Sequence, residues 1–326
     1  RVLVARKSDR SLGHERFFTH PFCELESMDA AVYDTSGHEL ERLDEDQIKS
    51  SSAFVDVLTR ARRVVYYELE HLNLPYVVSH KKRSRLGSWL FWSAWSPRTT
   101  VPVEKASLTI LSEDSLAGTW SVSGLESMAP RKTEDLFQWQ WTVTDLAALE
   151  TEYKQKPGSG AGVWVDYQPE IMDLAGVRRG VSTWTDLGAW YHRLTEAAFP
   201  EPVRSGAVQS IPSDSIRIPD IRTRYRQLQR QYRYVQHYKG LAELIPHPVH
   251  ETLQLGYGDC KDLSFCFAAT LRQAGIPARP VLIRTTNAGF IDPDHTAMDF
   301  KHCIVCVPAG TDTLWVGCSS DVCRVD

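Results

Sequence analysis

The stretch GYGDCKDLSFCFAATLRQAGIP, residues 256–277, decides how the chain is read. Leu263, Phe267, Leu271 and Ala274 recur at helical spacing, which predicts an amphipathic helix starting near Cys260. Gly275 with Pro277 just behind it stops that helix. Cys260 then stands in the first turn. There the unpaired N–H groups and the helix dipole favour a thiolate, and the same N–H groups can donate to an oxyanion. Gly256 and Gly258 are expected to let the backbone turn tightly and to leave room for a substrate. Strand-like runs follow at 278–284, 300–307 and 313–318. A thiolate nucleophile needs an imidazole, first as base and then as acid; His302, on the second run, is the candidate. A lone cysteine in a helix cap would read as a small buried residue. Its neighbours turn the reading toward chemistry.

Upstream, the pattern changes twice. Residues 1–145 read mainly as short strands: 64–70, a hairpin at 31–40 turning on Gly37, then 89–95, 105–111 and 137–143. Trp139 and Trp141 fall on one face of the last of these. Such aromatics suit a sugar-binding platform, although core packing is the default. Strands without intervening helices predict an antiparallel β-sandwich over 1–175. KPGSGAG at 156–162 reads as a flexible loop. The second domain is expected over 176–326, with helices at 182–199, capped by Ser182 or Thr183, and at 219–231. Five arginines between 222 and 233 decorate the latter and read as a solvated face.

The 326 residues carry 37 basic and 41 acidic side chains, a formal charge of −4, with 42% hydrophobic and 24% charged residues. That is the composition of a folded domain, and its mild acidity argues against a nucleic-acid binder. No run approaches the ~18 apolar residues of a membrane-spanning helix. Six of the seven cysteines fall after residue 259, which is unlike an evenly stapled scaffold. Cys303, Cys306, Cys318 and Cys323 invite a zinc site. Residues three apart on a strand face opposite ways, however, so packed free thiols or a Cys318–Cys323 disulfide are preferred. No metal or organic cofactor is implied. His247, between prolines, reads as structural, His250 and His295 are further imidazoles, and Asp262 is expected to accept N–H groups at the helix start.

The stretch around Gly258-Asp259-Cys260-Lys261-Asp262, with Phe300-Lys301-His302-Cys303-Ile304-Val305 and Leu314-Trp315-Val316-Gly317-Cys318-Ser319, resembles the active-site segments of the transglutaminase-like superfamily, a branch of the papain-like cysteine fold. Tyr232-Arg233-Tyr234-Val235 and Pro246-His247-Pro248 are similar to the approach segment of bacterial members, which commonly carry an upstream β-rich domain. The resemblance implies an α+β fold in which a β-sandwich precedes the Cys–His domain. It also implies acyl transfer on an amide or ester by Cys260 and His302, with a peptide, protein or other amide-bearing envelope substrate. A periplasmic or extracellular location and a chain continuing past residue 326 are expected on the same ground. Tyr234 and Asp259 are expected near the oxyanion or substrate. One position departs from the pattern: Gly317 stands where the family usually has an acidic residue to orient the histidine. Ser319 or Asp321 is expected to substitute, or the site to act as a dyad. The alternative is a non-catalytic peptide- or glycan-binding protein with a degenerate site.

Overall fold

The computed structural model describes the chain except for residues 20–21, 53–62, 128, 134, 150–161, 206–211, 213–214, 236–243, 286–292, 299 and 321–326. Most of the expected loop at 156–162, Asp321 and Cys323 lie outside the described residues. Contacts divide the chain into two units, one made of Arg1–Phe91 with Val235–Leu244, the other of Trp92–Tyr234 with Ile245–Asp326. The boundary expected at 175/176 follows the change from strands to helices; contacts instead group the strands after Trp92 with the helices.

In the first unit, β1 (Val2–Val4), β3 (Cys23–Tyr33), β4 (Glu39–Arg42) and β7 (Tyr76–Leu86) form one antiparallel sheet in the order β1-β7-β3-β4. The second sheet is β2 (His14–Thr19), β6 (Arg63–Glu68) and β5 (Lys49–Ser52). Both contribute to one core: Val32 and Val78 come from the first and Tyr67 from the second. The Tyr67 hydroxyl lies 2.6 Å from His80 Nδ1, and His80 Nε2 lies 3.0 Å from the Leu12 carbonyl, so the buried polar groups of the two layers satisfy one another. The expected hairpin is present. Gly37 takes φ 90°, and Asp34 accepts from the Ser36 and His38 amides across the turn.

In the second unit, β8 (Val103–Ser112), β10 (Arg131–Lys132) and β11 (Phe137–Leu146) make one antiparallel sheet, β9 (Gly118–Ser123) pairs with β12 (Trp164–Pro169), and β13 (Ile171–Leu174) with β14 (Val177–Gly180). Trp139 and Trp141 do share a face, but both are 2% exposed and pack on Trp120. They are core, and no sugar platform remains at these two rings. The strand expected at 89–95 is a 3-10 turn at Trp89–Phe91, with Trp95 making a single bridge to Val165.

The helices are α1 (Trp184–Thr195), α2 (Glu201–Arg204), α3 (Ile218–Gln231), α4 (Val249–Leu255) and α5 (Cys260–Gln273). Thr183 caps α1, its hydroxyl accepting from the Asp186 amide at 3.1 Å. Gly188, midway along α1, costs about 1 kcal/mol of helix propensity relative to alanine, although a Cβ there would meet nothing within 4 Å. The short parallel pair β15 (Arg233–Tyr234) and β16 (Tyr257–Gly258) sets Tyr234 beside Gly258. The last sheet runs β17 (Arg279–Ile283), β18 (His302–Ala309), β19 (Asp312–Val316), antiparallel throughout. The expected stripe on α5 is only part of its buried surface. Phe265, Cys266, Ala268 and Ala269 are buried too, because β17 and β18 pack on the helix along with α3 and α4. Phe265 stacks on Phe199 with centroids 4.9 Å apart, and Phe267 meets the Tyr225 ring edge-on at 5.6 Å. No described helix is long and apolar enough to cross a membrane.

Candidate active site

Cys260 is the first residue of α5, and Asp259 is its N-cap. The Asp259 carboxylate accepts from the Lys261 amide at 2.8 Å and the Asp262 amide at 3.3 Å. Asp262 returns the bond, accepting the Asp259 N–H at 3.0 Å, which completes a capping box. The cap thus takes the second and third amides of the helix and leaves that of Cys260 itself for an incoming group.

Asp259 is 2% exposed and also holds the Lys261 ammonium at 2.6 Å. Its carboxylate therefore faces the interior instead of the substrate, where the sequence reading set it. A carboxylate would in any case repel an oxyanion. Burial disfavours the Lys261 charge, but the Asp259 carboxylate and its hydrogen bond outweigh this, so the lysine is held protonated. Asp262 accepts backward along the chain, not from the amides ahead of it: its Oδ1 takes the His247 N–H at 2.8 Å, and His247 Nδ1 lies 3.2 Å away. The hydrogen bond to Asp262 raises the pKa of His247, against the effect of its partial burial. Gly258 fits under this network. A Cβ there would stand 2.5 Å from Asp262 Cβ and 3.0 Å from Thr252 Cγ2. The glycine thus serves close packing and opens no substrate space. Gly256, with φ 72°, makes the turn.

Across from the helix start, β18 begins with His302. Ser264 of α5 donates to the Cys303 carbonyl at 3.1 Å, tying the two elements together one residue past the histidine. The backbone groups of Cys303 and Lys261 favour the Cys260 thiolate. Burial nevertheless raises the Cys260 pKa above the ordinary thiol range, with the Asp259 carboxylate adding to it and Lys261 opposing. The expectation of a thiol ionised by the helix end is not met: desolvation wins. His302 is half-buried, and burial lowers its pKa, with Asp259 opposing. Burial thus works against the thiolate at Cys260 and against the imidazolium at His302.

Ser319 lies where the register of β18 with β19, continued beyond the Val305–Val316 pair, reaches His302. Its Oγ is 3.3 Å from His302 Nε2. Gly317 has open space where a side chain would go, and its carbonyl accepts from the Tyr225 hydroxyl at 2.5 Å. Tyr234 is 42% exposed and lines, with Ser319, Arg230 and Arg233, a cavity of ≈ 510 Å³. Tyr191 of α1 is partly buried, and burial raises its hydroxyl pKa well above the usual value, with Cys303, Asp259 and Cys260 adding to it. His295 is 6% exposed, its Nε2 3.0 Å from Asp166 Oδ2 of β12. Cys303 is fully buried and its thiol is pushed up to about 12 by burial, while Cys306 faces the other way and is partly exposed. Among the described residues, no group of side chains could hold a metal ion.

Sequence reasoning missed the Lys261–Asp259 pair, the His247–Asp262 contact and Tyr191. The Asp259-x-x-Asp262 spacing was the available signal for the first two; nothing in the sequence marked Tyr191.

Residues 217–316 match the transglutaminase-like superfamily model. No curated protein matches the sequence. The structure is similar to a crystal structure from Parabacteroides distasonis described as a “putative protease”, with a TM-score of 0.69 and 10% sequence identity over 97% of this chain. The chain spans 62% of the length of that protein, and at such identity the likeness concerns the fold alone. Helix-borne cysteine, histidine strand and matched segment coincide: residues 217–316 are a transglutaminase-like superfamily domain, carried behind a β-rich region of several antiparallel sheets.

Proposed function

We propose that the chain performs cysteine-dependent acyl transfer on an amide or ester, with Cys260 as nucleophile and His302 as proton carrier. The observation that carries this reading is the start of β18: Cys303 is tied to the Cys260 helix by the Ser264 hydroxyl at 3.1 Å, while the preceding residue, His302, has its Nε2 3.3 Å from Ser319 Oγ. Nδ1 is then the nitrogen left for the sulfur.

As a substrate carbonyl docks, His302 takes the thiol proton and the sulfur attacks the carbonyl carbon. The developing oxyanion accepts from the Cys260 N–H that the cap leaves over, with Tyr234, paired in register with Gly258, as a second donor. The imidazolium gives its proton to the departing amine or alcohol, leaving a thioester on Cys260. Water, deprotonated by His302, releases the acid; an amine acceptor gives an amide instead. The substrate class expected is a peptide, protein or other amide-bearing molecule of the cell envelope.

A second reading, a binding protein with a degenerate site, draws on two observations: the raised thiol pKa and the absence of a carboxylate at Gly317. Incubation with a panel of amide and ester acyl donors, followed by mass spectrometry, separates the two. Acyl transfer gives an adduct on Cys260 that turns over, vanishes in Cys260→Ala and forms more slowly in His302→Ala. Binding without any adduct supports the second reading.

A further inference from the structure

A second cavity lies in the same unit, of ≈ 540 Å³, walled by α1, α5, β17 and the segment leading into β18. Neither Cys260 nor His302 lines it. We propose that it is a binding site for an apolar carboxylate, with the hydrocarbon body along Gly188 of α1 and the charged head on Arg272 and Arg279.

Three observations meet here. The size and the aromatic lining, with Phe265, Phe300 and Tyr191 among the walls, are those of small-molecule sites, where an apolar surface carries a few placed polar groups. The lining carries two guanidiniums beside the polar side chains of Trp184, Tyr191, His192 and Thr195, and among the described residues no carboxylate lines the cavity. Arg272 is anchored by Nε to the Ala278 carbonyl at 2.7 Å, and its Cζ sits 4.3 Å over the Phe199 ring. That fixes the fork while using one of its five donors. Burial and the nearby Arg279 charge both work against the Arg272 cation. An anion between the two would remove that conflict. Finally, Gly188 lines the cavity in the middle of a helix, yet a Cβ on it would meet nothing. Helix propensity alone would favour alanine there. A bound molecule gives the vacancy a use.

A single negative head suits the site better than a neutral amide, because only the anion compensates two cations. An amine would add a third like charge. The site is separate from the acyl-transfer reaction, touching it only through Tyr191, which borders the cavity and lies near Cys260. The proposal therefore stands or falls independently of that reading.

Calorimetry and thermal melts on the intact chain test it with octanoate, octanamide, octylamine and acetate. Octanoate is expected to bind saturably and raise Tm, the other three at least about tenfold more weakly. Arg279→Gln, a change at an exposed side chain, should weaken octanoate about tenfold. Gly188→Leu fills the body subsite and should abolish binding with the circular dichroism spectrum retained. The proposal is overturned if octanoate shows no saturable binding, if octanamide or octylamine equals it, or if folded Gly188→Leu binds it normally. Should Gly188→Leu not fold, the Arg279→Gln titration decides alone, and unchanged affinity there overturns the assignment.

Discussion

Replacing Ser319 by aspartate should convert a neutral acceptor of the His302 ring into a charged one. Ser319 Oγ lies 3.3 Å from Nε2, a long contact, and the residue borders a cavity that leaves room for a larger side chain. Two unit charges about 4 Å apart at an effective dielectric of about 20 attract by about 4 kcal/mol. His302 is only half-buried, and solvent screening reduces this to about 2 kcal/mol. That energy raises the His302 pKa. If the imidazolium is largely formed in the rate-limiting step, it speeds that step by about 30-fold. The assay is the rate of Cys260 alkylation by iodoacetamide against pH, read by mass spectrometry, for the native chain, Ser319→Asp, Ser319→Ala and His302→Ala. In Ser319→Asp the inflection due to His302 should move to higher pH. Ser319→Ala should lose the hydrogen bond, worth about 1 kcal/mol, and His302→Ala should lose the inflection. An inflection identical in Ser319→Asp and Ser319→Ala would refute the argument, since the two differ in the one charge invoked.

Asp259→Ala leaves a buried lysine unpaired and should cost about 3–5 kcal/mol in a denaturant melt, most of it recovered by adding Lys261→Met. Gly258→Ala drives a Cβ against Asp262 and should cost about 1–3 kcal/mol while slowing Cys260 alkylation; an unchanged melt would show that the turn can relax. The raised His247 pKa stabilises the fold below the usual histidine value and is lost as pH rises through the folded value. The lowered Asp262 pKa, set by hydrogen bonds that outweigh burial, acts above the usual carboxylate value and is lost in acid. The Tm advantage of the native chain over His247→Phe should accordingly shrink from about pH 6 to about pH 9; a constant difference would sink the assignment.

Much of the C-terminal half was legible because its signals are local. The cap, the Cys260 helix and its Gly-Pro stop, and the alternation that turns His302 one way and Cys303 the other can all be read within a few residues. The fully buried character of α5 was not legible. It depends on α3 and α4 packing against it, and periodicity on one helix does not report its neighbours. The raised Cys260 pKa was misjudged for a similar reason. The N–H groups that favour a thiolate are local, whereas the burial that opposes them is set by tertiary packing around the helix start. Ser319 was readable as a substitute for the missing carboxylate because strand register is additive along the chain. Trp89–Trp95 failed as a strand since aromatic content fits a packed turn as well as a strand.

The alternation at His302 and Cys303 carries a hazard for the folding chain. Were β18 to settle one residue out of step, the imidazole would go into the core and the second thiol would come round to Cys260. In an oxidising compartment those two sulfurs would join, sealing the misthreaded molecule covalently. The correctly threaded chain keeps Cys303 fully enclosed and so withholds that sulfur from the reaction that traps the error.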